Sequence, residues 1–501
     1  MCGIVGYVGY KPVVDILLDG LEQLEYRGYD SSGIAVKCTD SIKVYKAEGK
    51  LVNLREELAP HAYEISKATL GIGHIRWATH GAPTVVNAHP HTCGCGKLVV
   101  VHNGIIENYK ELKAELEAKG CQFRSQTDTE TVAHLIAMIY GEVKDLTKAV
   151  QLATKKIEGA YALGIMHNDE PNKLVVTKRN APLIIGVGEN EYYAASDVPA
   201  IIKHTNKAIY LKDNQVATLT PSSLKLEDEF GNEVIPKVEV LPWEPVALSK
   251  MGYKHFMLKE IHEQPDVIRN ILIGKLHTSD SPIVLNEVKL TKEHLRKLNR
   301  IQIIACGTSL HAAMVGKYII EAFCGIPVDV EPSSEYIYRK TVTDEHTLVI
   351  GVSQSGETAD TLTAIKQAKA KGSHVLIITN RPDSAMAREA DSLIPVSAGI
   401  EVSVAATKSY IAQLTSFYLL ALYMAETKES LPEVELNEIK SEMLILPQKI
   451  EQILAHKENI QACARKYANT RDFIYIARGI NYPTALEGAL KLKEISYINA
   501  T

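Results

Sequence analysis

From residue 300 onward the chain repeats one short pattern of an apolar strand, a polar loop and a helix. The apolar run 301–305 precedes the loop 306–309, and the run 347–352 precedes the loop 353–360; each loop leads into a helical segment. Strands that alternate with helices form a parallel sheet covered on both faces. Ligands of such sheets bind beyond the carboxyl ends of the strands. We therefore predict a doubly wound α/β fold with a binding site formed by these two loops.

The chain is too long for a single hydrophobic core, since it has 501 residues. Before residue 240, short β-rich runs and helical patterns are typical of a layered α+β domain. The segment 301–309 is weakly similar to 473–481, which indicates a duplicated domain whose second copy is incomplete at Thr501. We predict an N-terminal domain at 1–240, a linker at 241–280, a first doubly wound domain at 281–430 and a partial second one at 431–501.

Composition excludes several classes of protein. Hydrophobic residues make up 46% and charged residues 23%, which is typical of a soluble globular enzyme. The net charge of −5, without a long basic run, argues against nucleic acid as a partner. Asp15 and Asp19 interrupt the only N-terminal apolar stretch, so we expect neither a secretion signal nor a membrane span. Eight cysteines are too few for a disulfide scaffold, and we expect a cytoplasmic protein.

Cys2 is a candidate nucleophile. Removal of Met1 would place its thiol beside a free α-amine that can take the thiol proton. Arg76 offers a guanidinium fork suited to an α-carboxylate, and Asp128 suits an α-ammonium. Asn103 and Gly104 follow an apolar strand and offer an amide and a backbone N–H for a tetrahedral oxyanion.

Each of these residues also has an ordinary interpretation. Cys2 alone would be an incidental thiol, and Arg76 a surface ion pair. Trp77 would belong to the core, and Asp128 would cap the helix that starts at Thr129. Asn103 would then belong to a common turn. Their joint occurrence favours catalysis.

The segments 1–7, 26–33, 74–81, 102–108 and 125–130 resemble the glutaminase domain of N-terminal-nucleophile (Ntn) amidotransferases, most closely that of the glutamine:fructose-6-phosphate aminotransferase family. The resemblance implies a four-layer α+β domain with Cys2 as nucleophile and Asn103 and Gly104 as oxyanion donors. It implies that Trp77 gates ammonia. The implied glutamine contacts are Arg76, Trp77, Thr79, His80 and Asp128.

The loops of the second half are rich in hydroxyls at helix starts, a pattern typical of anion binding but equally of helix capping. With the segment 399–408, they resemble the sugar isomerase (SIS) domain of the same family. Ala406 stands where many members have Ser, which would weaken one sugar contact. The implied contacts to fructose 6-phosphate are Thr308, Ser309, Ser353, Gln354, Ser355, Thr358 and Val404.

Glu487, Lys491 and Glu494 share one helical face by their spacing. Such residues usually form a solvated pair. The surrounding segment resembles the isomerase helix of the family, which implies that Glu494 moves a proton between C1 and C2 and that Lys491 stabilises developing charge.

The resemblance implies conversion of glutamine and fructose 6-phosphate to glutamate and glucosamine 6-phosphate by a homodimer, without metal or organic cofactor. The family's ring-opening histidine and tail lysine would follow Thr501, so the alternative is a glutaminase-only or inactive form. A related Cys2 amidotransferase and a sugar-phosphate sensor remain further alternatives. The cluster His89, His91, Cys93 and Cys95 has the wrong spacing for zinc, and we interpret it as a loop with incidental thiols.

Overall fold

The computed structural model describes residues 2–78, 80–241 and 250–501. The chain forms two compact units, Met1–Leu248 and Ser249–Thr501. In the described part of the chain, no helix is both long enough and apolar enough to cross a lipid bilayer.

The first unit contains two antiparallel sheets. One has eight strands in the order β14-β11-β9-β10-β1-β4-β2-β3, and the other has six in the order β13-β12-β8-β7-β6-β5. The strands are β1 (Gly3–Val8), β2 (Ser31–Lys37), β3 (Ile42–Glu48), β4 (Leu70–Arg76), β5 (His91–Thr92), β6 (Leu98–Ile106), β7 (Gly159–His167), β8 (Leu174–Arg179), β9 (Ile184–Val187), β10 (Tyr192–Ala195), β11 (Lys207–Tyr210), β12 (Val216–Thr220), β13 (Ser223–Glu227) and β14 (Glu239–Val240).

Apolar side chains from the facing sides of the two sheets form one core, which includes Ile4 and Ile72 of the first sheet and Val99 and Val101 of the second. Helices cover both outer faces. Alternating side chains of each strand therefore enter different cores, which explains why so many strand residues are buried. The helices are α1 (Val13–Gln23), α2 (Leu51–Leu58), α3 (Ala62–Ile65), α4 (Tyr109–Ala118), α5 (Thr129–Val143) and α6 (Leu146–Thr154).

The layers follow from the contacts of these helices. Helix α1 packs on β1 and β4 of the eight-stranded sheet, whereas α5 packs on β6 of the six-stranded sheet. The order is helix, sheet, sheet, helix, so the predicted four-layer α+β domain is confirmed.

The second unit is built on a parallel sheet in the order β16-β15-β17-β18-β19. Its doubly wound form confirms the sequence prediction. The strands are β15 (Arg300–Ala305), β16 (Val328–Pro332), β17 (Thr347–Ser353), β18 (His374–Thr379), β19 (Ser392–Pro395), β20 (Asp472–Phe473) and β21 (Asn499–Ala500). The helices are α7 (Phe256–His262), α8 (Gln264–Leu272), α9 (Lys292–Lys297), α10 (Gly307–Cys324), α11 (Ser333–Tyr338), α12 (Ala359–Ala370), α13 (Ala385–Glu389), α14 (Lys408–Lys428), α15 (Glu433–Ala455), α16 (Lys457–Tyr467) and α17 (Asn481–Ser496).

Neighbouring strand residues point to opposite faces of this sheet. Ile303 and Ile350 enter the larger core with α10 and α14, whereas Ile304 and Val349 enter a smaller core with α11 and α12. Phe417 of α14 is fully buried in the larger core. The apolar segment 417–425 is thus an internal helix, as its length predicts.

Two predicted elements differ from the observed ones. The strand expected to end near His102 continues to Ile106, because Asn103 pairs with Ala162 and Gly104 with Tyr161 of β7. The segment 473–477, which the similarity to 301–305 predicts to be a strand, is a strand only at its start, in Asp472–Phe473, which pairs among the described residues with the two-residue strand β21. Strand length depends on the pairing available, which local sequence does not encode.

Candidate active sites

Cys2 lies immediately before β1, beside the end of β4. Its Sγ accepts a hydrogen bond from Trp77 N at 3.3 Å and donates one to Trp77 O at 3.4 Å. Gly3 pairs with Ile75 in the adjacent strand. The antiparallel pairing of β1 with β4 therefore places the Cys2 thiol against the segment that follows Arg76.

Burial raises the pKa of the Cys2 thiol, while the backbone of Trp77 and the charges of Arg76 and Arg27 act in the opposite direction without cancelling the effect. Near neutral pH the protonated thiol therefore predominates. The thiolate is the nucleophilic form, so the thiol must lose its proton before this sulfur can react. A nearby base that accepts the proton, or a positive charge that stabilises the thiolate, is therefore required.

Asn103 lies next to Cys2 on the second sheet. Its Nδ2 donates to Cys2 O at 3.2 Å and to Ser196 Oγ at 2.8 Å, while its Oδ1 lies 3.0 Å from His74 Nε2. The structure thus brings Asn103 beside Cys2, but within the strand and not in the turn that the sequence suggested. Gly104 follows with a φ of +129° and is exposed.

Arg76 is almost fully buried, so it is not the surface ion pair of the ordinary interpretation. Its guanidinium donates to the backbone carbonyls of His80, Gly81 and Ala82. The side chain therefore holds the 80–82 loop in the described arrangement. Thr79, one of the predicted glutamine contacts, lies outside the described residues.

Trp77 precedes this loop, and His80 is its first residue. The Trp77 side chain is 38% exposed, and its ring meets that of Tyr29 edge-on at 5.9 Å. The His80 ring meets Tyr109 edge-on at 5.3 Å. Trp77 is therefore not the core residue of the ordinary interpretation, and it is the Trp77 backbone that contacts the Cys2 sulfur.

Asp128 stands at the first position before α5, yet its carboxylate does not cap that helix. Instead Oδ2 accepts a hydrogen bond from Ile106 N at 2.8 Å. Asp128 is 5% exposed, and His102 Nδ1 lies 4.0 Å from it. Asp128 thus occupies the predicted N-cap position, but its carboxylate does not cap the helix and instead joins α5 to the end of β6.

Two residues beside Cys2, Arg27 and Ser196, were not singled out from the sequence. Arg27 donates through Nε to Cys2 O at 2.9 Å and pairs with Asp197 at 3.3 Å. Ser196 Oγ accepts from Ile4 N at 2.8 Å as well as from Asn103. Arg27 lies in the motif 26–33, which could have identified it as a site residue. No sequence motif pointed to Ser196.

The His89–Cys95 segment does not form a metal site in the described ranges, where no three His, Cys, Asp or Glu side chains are grouped to hold a metal. The ring of His89 stacks on that of His74 at 4.1 Å, and His91 Nε2 lies 3.0 Å from Thr127 Oγ1. Burial lowers the pKa of both His89 and His91 well below the usual range. These two imidazoles are therefore neutral packing groups.

In the second unit, the side-chain hydroxyls of the loop after β17 form hydrogen bonds within that loop. Ser353 Oγ lies 2.9 Å from Thr358 Oγ1 and accepts from Gly356 N at 3.0 Å. Ser355 Oγ accepts from Glu357 N at 3.2 Å. This compact turn lies before the N-terminus of α12, where the helix dipole attracts anions.

The loop after β15 lies at the same edge of the sheet, because β15 and β17 are adjacent and parallel. Helix α10 begins at Gly307, earlier than predicted, so Thr308 and Ser309 lie in its first turn. Ser309 is buried and its Oγ accepts from Gln413 Nε2 at 3.0 Å. That hydroxyl is thus engaged within the protein.

Thr308 instead connects to α17. Its Oγ1 accepts from Lys491 Nζ at 3.0 Å and donates to Glu487 Oε1 at 3.0 Å. Lys491 also pairs with Glu494 at 2.5 Å, and His311 Nδ1 lies 2.7 Å from Glu487 Oε2. The three charged residues of α17 lie on one face, consistent with their spacing, and His311 is an addition that the sequence did not reveal.

The third loop, 399–407, is tied to α7. Glu260 is 2% exposed and accepts hydrogen bonds from Val402 N and Ser403 N, and Lys408 pairs with Glu263 at 2.7 Å. Val404, a predicted sugar contact, is 50% exposed within this loop. Gln354 accepts from Asn380 N through its backbone carbonyl at 3.2 Å.

The chain is similar over its whole length, and so over both units, to known proteins. Over 500 residues the chain is 47% identical to the glutamine–fructose-6-phosphate aminotransferase (isomerizing) of Clostridium tetani; all of this chain and 81% of that protein are covered. It is 49% identical over 502 residues to the protein of the same name from Gloeobacter violaceus, and 46% identical over 509 residues to that of Methanosarcina acetivorans, with 100% of this chain and 81% and 82% of those proteins covered. The chain belongs to the glutamine–fructose-6-phosphate aminotransferase (isomerizing) family.

Two family models match parts of this aminotransferase. A glutamine amidotransferase domain matches residues 84–203, and an SIS domain matches residues 294–423. Asn103 and Asp128 lie in the first match, and the Ser353 loop lies in the second. Cys2 and the charged face of α17 lie outside both matches. Their inclusion in the candidate sites is based on their contacts with Asn103 and Thr308, respectively.

Proposed function

We propose that this aminotransferase releases ammonia from glutamine at Cys2 and adds it to fructose 6-phosphate at the sugar-isomerase edge of the second unit. The product is glucosamine 6-phosphate. The proposal is supported by two arrangements in one chain of this family. In the first unit, the Cys2 residue lies beside the amide donor of Asn103. In the second unit, the pair of Lys491 and Glu494 contacts Thr308 at the hydroxyl-rich edge of the sheet.

In the first unit, the Cys2 sulfur attacks the carboxamide carbon of glutamine. The α-amine freed by removal of Met1 takes the thiol proton, because burial keeps the thiol protonated. Asn103 Nδ2 turns from the Cys2 carbonyl to the oxyanion, and Gly104 N donates the second bond. Ammonia leaves, and water hydrolyses the thioester to glutamate.

Glutamine itself is held by the loop that Arg76 organises. Arg76 and Asp128 offer opposite charges to the α-carboxylate and the α-ammonium, with Thr79 and His80 as further contacts. The exposed ring of Trp77 then covers the sulfur and directs ammonia away from water. Both charged residues are buried, so each charge acts where water is largely excluded and its attraction for an opposite charge is stronger.

In the second unit, the Ser353 loop binds the phosphate at the start of α12. The proposed contacts are Thr308, Ser309, Ser353, Gln354, Ser355, Thr358 and Val404. Ammonia condenses with the C2 carbonyl and water leaves. Glu494 then moves a proton from C1 to C2, while Lys491 stabilises the negative charge that develops. Because Ser309 Oγ already accepts from Gln413, its contribution requires a second bond from its hydroxyl hydrogen.

One experiment separates the two halves. Glutamate and glucosamine 6-phosphate are both quantified for the unaltered chain, for Cys2→Ala and for Glu494→Gln. Cys2→Ala should release no glutamate, whereas Glu494→Gln should release glutamate and form no amino sugar. Equal glutamate release by Cys2→Ala, or amino-sugar formation by Glu494→Gln at the unaltered rate, would contradict the proposal.

We also propose a cytoplasmic homodimer, and the division into an amidotransferase domain at 1–240, a linker at 241–280 and SIS segments at 281–430 and 431–501. Family membership supports the dimer, and the charge and composition support the cytoplasm. Sedimentation of the purified chain tests the first, and fractionation of cells tests the second.

A further inference from the structure

The two cysteines of the segment 93–95 occupy one tight turn between β5 and β6. Cys93 N donates to Leu98 O at 3.1 Å, and Gly96 N donates to Cys93 O at 2.9 Å. Gly96 closes the turn with a φ of +69°, which glycine adopts readily. The Cys93 and Cys95 sulfurs lie 2.7 Å apart, and both are free thiols. The backbone therefore holds the two sulfurs together without help from other side chains.

The two thiols differ in access to solvent. Cys93 is 4% exposed and belongs to the core between the six-stranded sheet and its helices, whereas Cys95 is exposed. Burial, followed by the contact with Cys95, raises the pKa of Cys93. An external reagent therefore meets Cys95 first, and Cys93 is placed to react second.

We propose that Cys93 and Cys95 form a reversible intramolecular disulfide on reaction with a low-molecular-weight disulfide. The Cys95 thiolate attacks one sulfur of the reagent, which forms a mixed disulfide and expels one thiolate. The Cys93 sulfur then attacks the Cys95 sulfur, closes the protein disulfide and expels the second thiolate. The two protons of the protein thiols end on the two released thiolates, so one disulfide is reduced for each one formed.

The surroundings favour this over metal binding. In the part of the chain that the structure describes, no third ligand joins the two sulfurs, since His91 contacts Thr127 and His89 contacts His74. Gly94, between the two cysteines, has no side chain to obstruct closure, and a Cβ there would lie 3.4 Å from the His134 ring. Closure therefore shortens a distance between the two sulfurs that is already 2.7 Å.

The test uses the unaltered chain and oxidised glutathione, followed by alkylation of the remaining thiols and peptide mass mapping. We expect the peptide with Cys93 and Cys95 to lose two hydrogens, to carry no lasting glutathione and to resist alkylation. Dithiothreitol should restore both thiols. The exposed Cys463 on α16 is an internal control, which should keep its glutathione adduct.

Cys93→Ser provides a second test, because the glutathione adduct on Cys95 should then persist. A lasting adduct on Cys95 of the unaltered chain with an alkylated Cys93, or two alkylated cysteines after treatment that modifies Cys463, would overturn the proposal. Both readings come from the unaltered protein, so they do not depend on the variant's folding.

Discussion

The carboxylate of Glu260 accepts the backbone N–H of Val402 at 2.5 Å, although 142 residues separate them. The same carboxylate accepts Ser403 N at 3.2 Å and contacts the Ser403 hydroxyl. A buried carboxylate on α7 thus holds the loop that presents Val404. Charge-assisted bonds of this kind are about twice as strong as neutral ones.

Loss of that charge should loosen the loop. Glu260→Gln keeps the shape but weakens the bonds, so we expect the Kd for fructose 6-phosphate to rise about tenfold. Calorimetric titration measures it, while glutamine hydrolysis should be unchanged. Glu293→Gln is the control, because its carboxylate is 79% exposed. Equal affinity in both variants would contradict a role for Glu260 in the sugar site.

Glu130 should make the free energy of unfolding decrease at acidic pH. Burial raises its pKa, but the close contact with His134 Nε2 at 3.7 Å and the hydrogen bonds from Ser125 and the Arg124 backbone together outweigh burial and lower it from 4.5 to about 2. A lowered folded-state pKa contributes stability above the unfolded pKa, and this contribution disappears as the pH falls from about 4.5 towards 2. The expected contribution at neutral pH is about 3 kcal/mol.

Glu130→Gln removes this contribution. The variant should melt at a lower temperature at pH 7, and its melting temperature should fall less between pH 7 and pH 3 than that of the unaltered chain. Scanning calorimetry at both pH values measures the difference. Parallel pH curves for the two proteins would show that Glu130 is not the group responsible.

Asn103 should affect the rate of glutamine hydrolysis more than glutamine binding. Removal of one oxyanion donor lowers kcat by about 10²–10³, so Asn103→Ala should show that loss with little change in KM. Asn108→Ala is a matched control, because its side-chain amide donates to Lys156 O at 2.9 Å, just beyond the end of α6. A similar loss in both variants would indicate a general structural effect.

Gly104 should not tolerate a side chain. Its φ is +129°, and a Cβ would lie 2.0 Å from Ala160 O of the paired strand. We expect Gly104→Ala to lower the free energy of unfolding by about 2 kcal/mol or more. Gly141 lies near the end of α5 with no atom within 4 Å of an added Cβ, so Gly141→Ala should stabilise by about 0.5–1 kcal/mol. Melting temperatures that move in the same direction would contradict this contrast.

Local sequence determined the alternation of elements and predicted the candidate site residues. The apolar strands before Cys306 and Ser353, the helical spacing of Glu487, Lys491 and Glu494, and the Cys2 motif are all short-range patterns, and hydrophobic periodicity reports such patterns directly. The alternation of strands and helices predicted the doubly wound α/β fold and a layered α+β domain, and the resemblance implied its four layers; the structure confirms both fold classes.

Only the tertiary structure decided which side chains meet. Strand pairing placed Asn103 within β6 and brought Ser196, 93 residues away, against its amide; packing of α10 on α17 joined Thr308 to Lys491 across 183 residues. It also bound Asp128 to β6 in place of its own helix. Such contacts depend on register and packing between distant segments, and a pattern that repeats every two to four residues carries no information about them.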